Sequence, residues 1–398
     1  MTSAPALRWQ RPSGAHELPV AAVLPMLRQA VAAAPQRAEL RTQLAKSLYH
    51  AALIGELLDR FGAAAGEPDA GPELLCYVGR GALAAGDAGL AVDALGSSAE
   101  QGFADAFGPF ADALHRAGRH DDALRAGLRA LEESASDYAA LRVVARTLLA
   151  RGEQQRLWSV CAGLMARGSA RGYVPSAMLL AAVTPAQRAE VAGLVDPARW
   201  LSSSELGVPS GFNRDLAAEL LAHVRAGPLP VTKSTVGTGN RVDQLDIAGG
   251  PLTRRLLAMV AAQVDVYCAQ RERFASHPLM AQRPHSAVLN SWAVVVRGDG
   301  HESWHLHPGG WLSGVYYVAV PSADGTGDER RGAIEFGPHP FAGERTDAAW
   351  PRTCVTPHAG MLLLFPSYYG HRTWPTQVDE PRICVAFDVV PAAPPKAE

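Results

Sequence analysis

The chain has 398 residues, room for two or three domains at about 150 residues each, and its 48% hydrophobic and 19% charged content is that of a folded globular protein rather than a disordered one. A formal net charge of −2 excludes an overall basic field for nucleic acid or anionic lipid, and no run of 18 apolar residues offers a membrane span. Two residue types divide the chain: 47 alanines fall in residues 1–200 against 24 in 201–398, whereas six of the 13 histidines lie between His301 and His371.

The first segment, Met1 to Pro19, has no apolar stretch and is not expected to be a secretory signal. Five scattered cysteines without a CxxC pair suggest reduced, mostly buried thiols in a cytoplasmic protein. From about residue 20, Ala- and Leu-rich segments recur with a glycine at each turn. Gly118 and Gly152 are 34 residues apart, Gly86 precedes Gly118 by 32, and Gly55 precedes Gly86 by 31. This period, with small residues at helical spacing, is that of paired-helix repeats, and ALHRAGRHDDALRAGLRAL resembles a tetratricopeptide unit. A tetratricopeptide-like helical domain is expected over 20–185, with a surface for a protein partner. The Pro, Ser and Gly content of 195–213 reads as a connection, so the boundary is expected between about 185 and 210.

The back half is expected to be a β domain over 205–392. Helices near 213–225 and 252–271 precede β-branched or aromatic runs at 288–297, 311–320, 332–336, 360–365 and 382–390. His305 and His307 are two residues apart, so on extended backbone both imidazoles face the same side. His371 offers a third nitrogen. Three ligands on one face of a metal leave positions for a bidentate co-substrate and oxygen, the arrangement of non-haem iron oxygenases. Arg382 sits within an apolar strand, where an unpaired guanidinium is costly to bury. It points either to a clamp for a bound carboxylate or to a structural ion pair with Asp388 or Glu335. The segment 338–351 (PHPFAGERTDAAWP) is expected to be a lid or a substrate-facing segment, with Trp350 as a wall.

Together, NSWAVVVRGDGHESWHLHPGGWLSGVYYVAV, GAIEFG, PHAGMLLLFPSYYGHRTWP and RICVAFD resemble the 2-oxoglutarate- and iron(II)-dependent oxygenases, specifically bacterial oxygenases related to prolyl hydroxylases. The resemblance covers about residues 205–390 and implies a double-stranded β-helix, or jelly roll. It implies iron at His305, His307 and His371, and the 2-oxoglutarate side-chain carboxylate at Arg382, with Tyr317 hydrogen-bonding that carboxylate and Asn290 a weaker candidate on the adjacent strand. The expected activity is hydroxylation of a peptide, protein or small molecule. One departure stands out: the wider superfamily has His-x-Asp or His-x-Glu where this chain has His305–Leu306–His307, which raises the charge of the site by one. Either three histidines form the centre or His307 stands behind it, with Glu335 a distant third option. The alternatives are a three-histidine cupin dioxygenase without 2-oxoglutarate, a non-catalytic repeat scaffold, and a structural zinc site.

Overall fold

The computed structural model describes residues 7–10, 20–67, 69–167, 172–224, 234–270, 277, 279–321, 330–337 and 352–392. The expected lid at 338–351 lies outside these residues. They form two compact units, one of residues up to Leu157 and one from Trp158 onward that also takes in the first strand.

The helical unit begins with α1 (Val20–Ala33) and continues with α2 (Ala38–His50), α3 (Ile54–Phe61), α4 (Pro72–Ala85), α5 (Ala88–Glu100), α6 (Ala104–Arg116), α7 (His120–Glu133) and α8 (Tyr138–Ala150). Helices α2, α4, α6 and α8 open successive pairs and pack on one another from repeat to repeat. Small residues permit the approach: a Cβ at Gly79 would overlap Leu95, and one at Gly127 would press on Val144. The turn after each first helix needs a left-handed residue, supplied by Gly86, Gly118 and Gly152. In the first pair that residue is Ala52, at φ 57°. The expectation for Gly55 is therefore corrected: it lies inside α3, and the turn series runs 52, 86, 118, 152. An alanine holding a glycine's position hid the first repeat's register.

The second unit is built on a seven-stranded sheet with strand order β1-β5-β12-β7-β10-β2, to which β4 adds on β5. Among the described residues the strands in chain order are β1 (Arg8–Gln10), β2 (Ser202–Glu205), β3 (Thr235–Val236), β4 (Gly239–Asp243), β5 (Ser286–Val296), β6 (His301–Glu302), β7 (Leu312–Ala319), β8 (Ile334–Gly337), β9 (Thr353–Val355), β10 (Met361–Pro366), β11 (Gly370–Thr373) and β12 (Arg382–Pro391). A three-stranded sheet, β11-β8-β9, faces the large one, and β3 pairs with β6. Phe365 of β10 touches Phe336 and His371 of the smaller sheet, at ring-centroid distances of 5.0 and 4.9 Å. The expected jelly roll is thus present. The helix Phe212–His223 lies on β7, where the Tyr316 hydroxyl donates to Asn213 Oδ1 at 2.7 Å.

The region expected to be the interdomain connection belongs to this second unit. Tyr368 donates to the Leu194 carbonyl at 2.5 Å, and Tyr267 to the Trp200 carbonyl at 2.9 Å. The tetrapeptide Ser202–Glu205 forms the edge strand β2 on β10, one residue ahead of which Leu201 ends the short helix Pro197–Trp200. An edge strand with every other residue solvated requires no apolar alternation, so its polar text resembled a linker. The division at Leu157/Trp158 falls well before the expected 185–210.

Candidate metal centre

Antiparallel pairing across β5, β12 and β7 sets the register of one inward face. Arg382, Cys384, Ala386 and Asp388 alternate along β12, opposite Val296, Val294, Trp292 and Asn290 of β5. Cys384 also lies opposite Tyr317 of β7. Between this face and the smaller sheet is a cavity of about 50 Å³, walled by Trp292, Val294, Phe365 and Ile334 and reached by His305, His307, His371, Tyr317 and Arg382.

The three histidines converge. One ring nitrogen from each lies within 4.8 Å of the other two. The convergence begins in the backbone: His305 and His371 form a bridge in which each N–H donates to the other's carbonyl, at 3.0 and 2.9 Å, and the His307 N–H donates to the Ser367 carbonyl at 2.9 Å. Side-chain bonds then fix the tautomers. His305 Nδ1 lies 2.7 Å from the Ser303 carbonyl, and His371 Nδ1 lies 2.9 Å from that of Tyr369. A carbonyl can only accept, so both Nδ1 atoms carry the proton and both Nε2 atoms keep a lone pair. His307 Nδ1 meets Asp388 Oδ1 at 2.6 Å, and its Nε2 is buried with no hydrogen-bond partner among the described residues. Burial and then the neighbouring rings hold His305 and His371 well below the ordinary histidine range, which keeps them neutral at pH 7. Neutral imidazoles with free Nε2 atoms are the form a divalent metal requires.

At the other end of β12, Arg382 is 1% exposed. Its guanidinium donates to the Gly332 carbonyl at 3.0 Å and to Thr373 Oγ1 at 2.9 Å, while Nε finds no partner among the described residues. Neither ion pair weighed from the sequence forms. Asp388 accepts from His307 and Ser313, and Glu335 from Arg372 at 2.7 Å and the Trp374 indole at 3.1 Å on the outer face of β8 and β11. Glu335 therefore stands away from the cavity wall. Tyr317 is buried beside Arg382; burial pushes its phenol well up, against the opposing effect of the guanidinium, so it stays protonated.

Asn290 is not part of this cluster. It lies on the inward side of β5 but is exposed and opposite Asp388. Six residues of strand, about 20 Å at 3.3–3.4 Å per residue, separate that register from Arg382. Sequence reasoning missed Glu302, a buried cavity residue whose carboxylate accepts from the Ser234 and Thr235 hydroxyls. It also missed Ser313 and Ser367, whose hydroxyls lie 2.8 Å apart behind Asp388. Ser313 shares a strand parity with Tyr317, and that was the available signal.

No curated protein matches the sequence. Likenesses to solved structures are distant. A prolyl-4-hydroxylase from Pseudomonas putida aligns at 15% identity over 50% of this chain and 99% of its own, with a TM-score of 0.35. HygX from Streptomyces hygroscopicus, with nickel and 2-oxoglutarate bound, aligns at 14% over 53% and 88%, with 0.34. MamA aligns at 16% over 33% and 79%, with 0.31. Scores this low carry nothing further. A family model does match, over residues 290–388, under the description "Putative 2OG-Fe(II) oxygenase". That span runs from β5 to β12 and contains His305, His307, His371, Tyr317 and Arg382, so the stretch that carries the cavity is the part of the chain similar to the 2-oxoglutarate- and iron(II)-dependent oxygenases.

Proposed function

We propose that the chain is a non-haem iron(II) dioxygenase that hydroxylates a C–H bond while 2-oxoglutarate and O2 become succinate and CO2, one oxygen atom entering each organic product. One observation carries the reading: a single cavity joins three imidazoles presenting Nε2 to a buried arginine with no carboxylate partner among the described residues. The donor set fits the metal, because the orphaned Nε2 of His307 is a lone pair that an ion would take up. His305, His307 and His371 would hold iron, and Arg382 with Tyr317 would hold the far carboxylate of 2-oxoglutarate. The metal, when bound, supplies oxygen activation. The chain's own residues do the rest: Arg382 orients the co-substrate, the Tyr317 phenol donates to the same carboxylate, and Trp292, Val294, Ile334 and Phe365 exclude water. A cupin-type reaction would leave the Arg382 charge without a counter-ion.

The substrate is a peptide, protein or small molecule, and the helical repeats offer a face for a protein partner. No helix among the described residues is long and apolar enough to cross a membrane. Five free cysteines, four of them buried, support a reducing, cytoplasmic setting. The test is anaerobic titration with Fe(II) and 2-oxoglutarate, followed by succinate assay in air. A visible charge-transfer band and succinate release are expected. No band in the wild type would sink the assignment, and an unchanged band in Arg382→Ala would sink the co-substrate site.

A further inference from the structure

Three imidazole ligands bring no negative charge to a dication, unlike a set containing one carboxylate. The carboxylate is nevertheless present, one hydrogen bond further out. Asp388 Oδ1 accepts from His307 Nδ1 at 2.6 Å and from the Ser313 hydroxyl at 2.6 Å, and Ser313 is in turn 2.8 Å from Ser367 Oγ. Asp388 is 9% exposed, and among the described residues no lysine or arginine pairs with it. A buried carboxylate held only by an imidazole and a hydroxyl has lost its hydration with no fixed counter-charge beside it, an arrangement that becomes favourable when a cation lies on the imidazole's far side. The surroundings are shaped to keep it there. A Cβ at Gly310 would overlap Ser367 Oγ and sit 3.5 Å from Asp388 Cβ, so the Pro308–Gly310 turn closes over the network only with glycine at its end. The Trp292 ring lies 5.4 Å from that of His307, limiting the imidazole's rotation from the other side.

We infer that Asp388 is the anionic partner of the metal centre: a positioning residue that holds His307 with Nε2 facing its two companions and supplies, through the imidazole, the negative charge the ligand set lacks. The inference rests on the metal-binding reading above. It also makes Asp388 more than an acceptor, because a neutral acceptor would orient His307 equally well.

That difference is what the experiment reads. Asp388→Asn keeps an acceptor oxygen of the same shape and removes the charge; Ser313→Ala removes one donor and keeps the charge. Co(II) binding is measured by visible absorption titration on the full chain, and thermal unfolding is followed with and without Co(II). Asp388→Asn is expected to weaken Co(II) affinity 10- to 100-fold, the usual range for such partners, with a metal-free melting temperature at or above that of the wild type. Ser313→Ala is expected to change affinity less than Asp388→Asn. A structural role alone predicts the reverse pattern. Asp388→Asn binding Co(II) within threefold of wild type, or losing affinity only together with metal-free stability, overturns the inference while leaving the metal site standing. A wild type that takes up no Co(II) overturns both.

Discussion

Arg382 and Thr373 are joined by a 2.9 Å hydrogen bond from guanidinium to hydroxyl, and with the Gly332 carbonyl this gives a buried cation two neutral acceptors and, among the described residues, no anion. Burying a charge without its counter-ion costs on the order of several kcal/mol, and a methionine fills a similar length without that cost. Arg382→Met should therefore leave the ligand-free chain as stable as wild type or more so in urea unfolding, while the stabilisation by 2-oxoglutarate disappears. A less stable ligand-free variant would show that the guanidinium serves the fold instead.

Tyr317 and Asn290 should separate cleanly. Tyr317→Phe removes only a hydroxyl beside Arg382, and one hydrogen bond to a charged group is worth about 1.5–3 kcal/mol. An increase in KM for 2-oxoglutarate of roughly 10- to 100-fold is expected, with Co(II) affinity unchanged. Asn290→Ala, on the exposed end of β5, should alter neither. Steady-state succinate assays with metal titrations decide between them.

The turn at Ala52 offers a stability test far from the cavity. A non-glycine residue in the left-handed region costs about 1–2 kcal/mol, part of which glycine returns as unfolded-state entropy. Ala52→Gly should stabilise the chain by about 0.5–1 kcal/mol, and Gly86→Ala, at φ 81°, should destabilise it by a similar amount. Chemical denaturation of both variants, showing opposite signs, is the expected outcome; equal signs would refute the repeat alignment.

His277 sets an acid limit. Its Nδ1 accepts from the Leu279 and Met280 N–H groups, so Nε2 carries the proton and faces the Tyr368 hydroxyl at 2.7 Å. Burial lowers its pKa to about 4. Above the unfolded value of about 6.5 both states are neutral and stability is unaffected. Between 6.5 and about 4 only the unfolded chain gains the proton, so stability falls as pH falls, by about 1.4 kcal/mol per unit and roughly 3 kcal/mol in all. His277→Gln should flatten the pH dependence of unfolding free energy in that window by close to one proton. Parallel curves for variant and wild type would remove His277 as the cause.

Much of this architecture was legible in the residues because each signal was local. The His305/His307 spacing, the small-residue helices and the apolar runs of β7, β10 and β12 each follow from one period. What could not be read depended on partners distant in sequence. Ser202–Glu205 becomes a strand because β10 lies beside it, not because of its own composition. Asp388 is the sharper case. From β12 alone it looked like a partner for Arg382, six residues away on the same face. Strand rise keeps the two apart, and the cross-sheet approach of His307 from another loop determines what the carboxylate binds.

The strand β1 has a kinetic consequence. Arg8–Gln10 lies parallel to Ser286–Val288 of β5, and the Leu7 N–H reaches Asp265 Oδ1 at 3.0 Å, with the whole helical array between them in the chain. The array is therefore an insertion in the sheet-containing unit, not a prefix to it. During synthesis the helices, whose contacts are local, can form as they emerge. The strand β1 must wait, unpaired, until some 280 residues later its neighbour leaves the ribosome. Arg8–Gln10, made before the helical array, is among the last segments to be placed in the sheet.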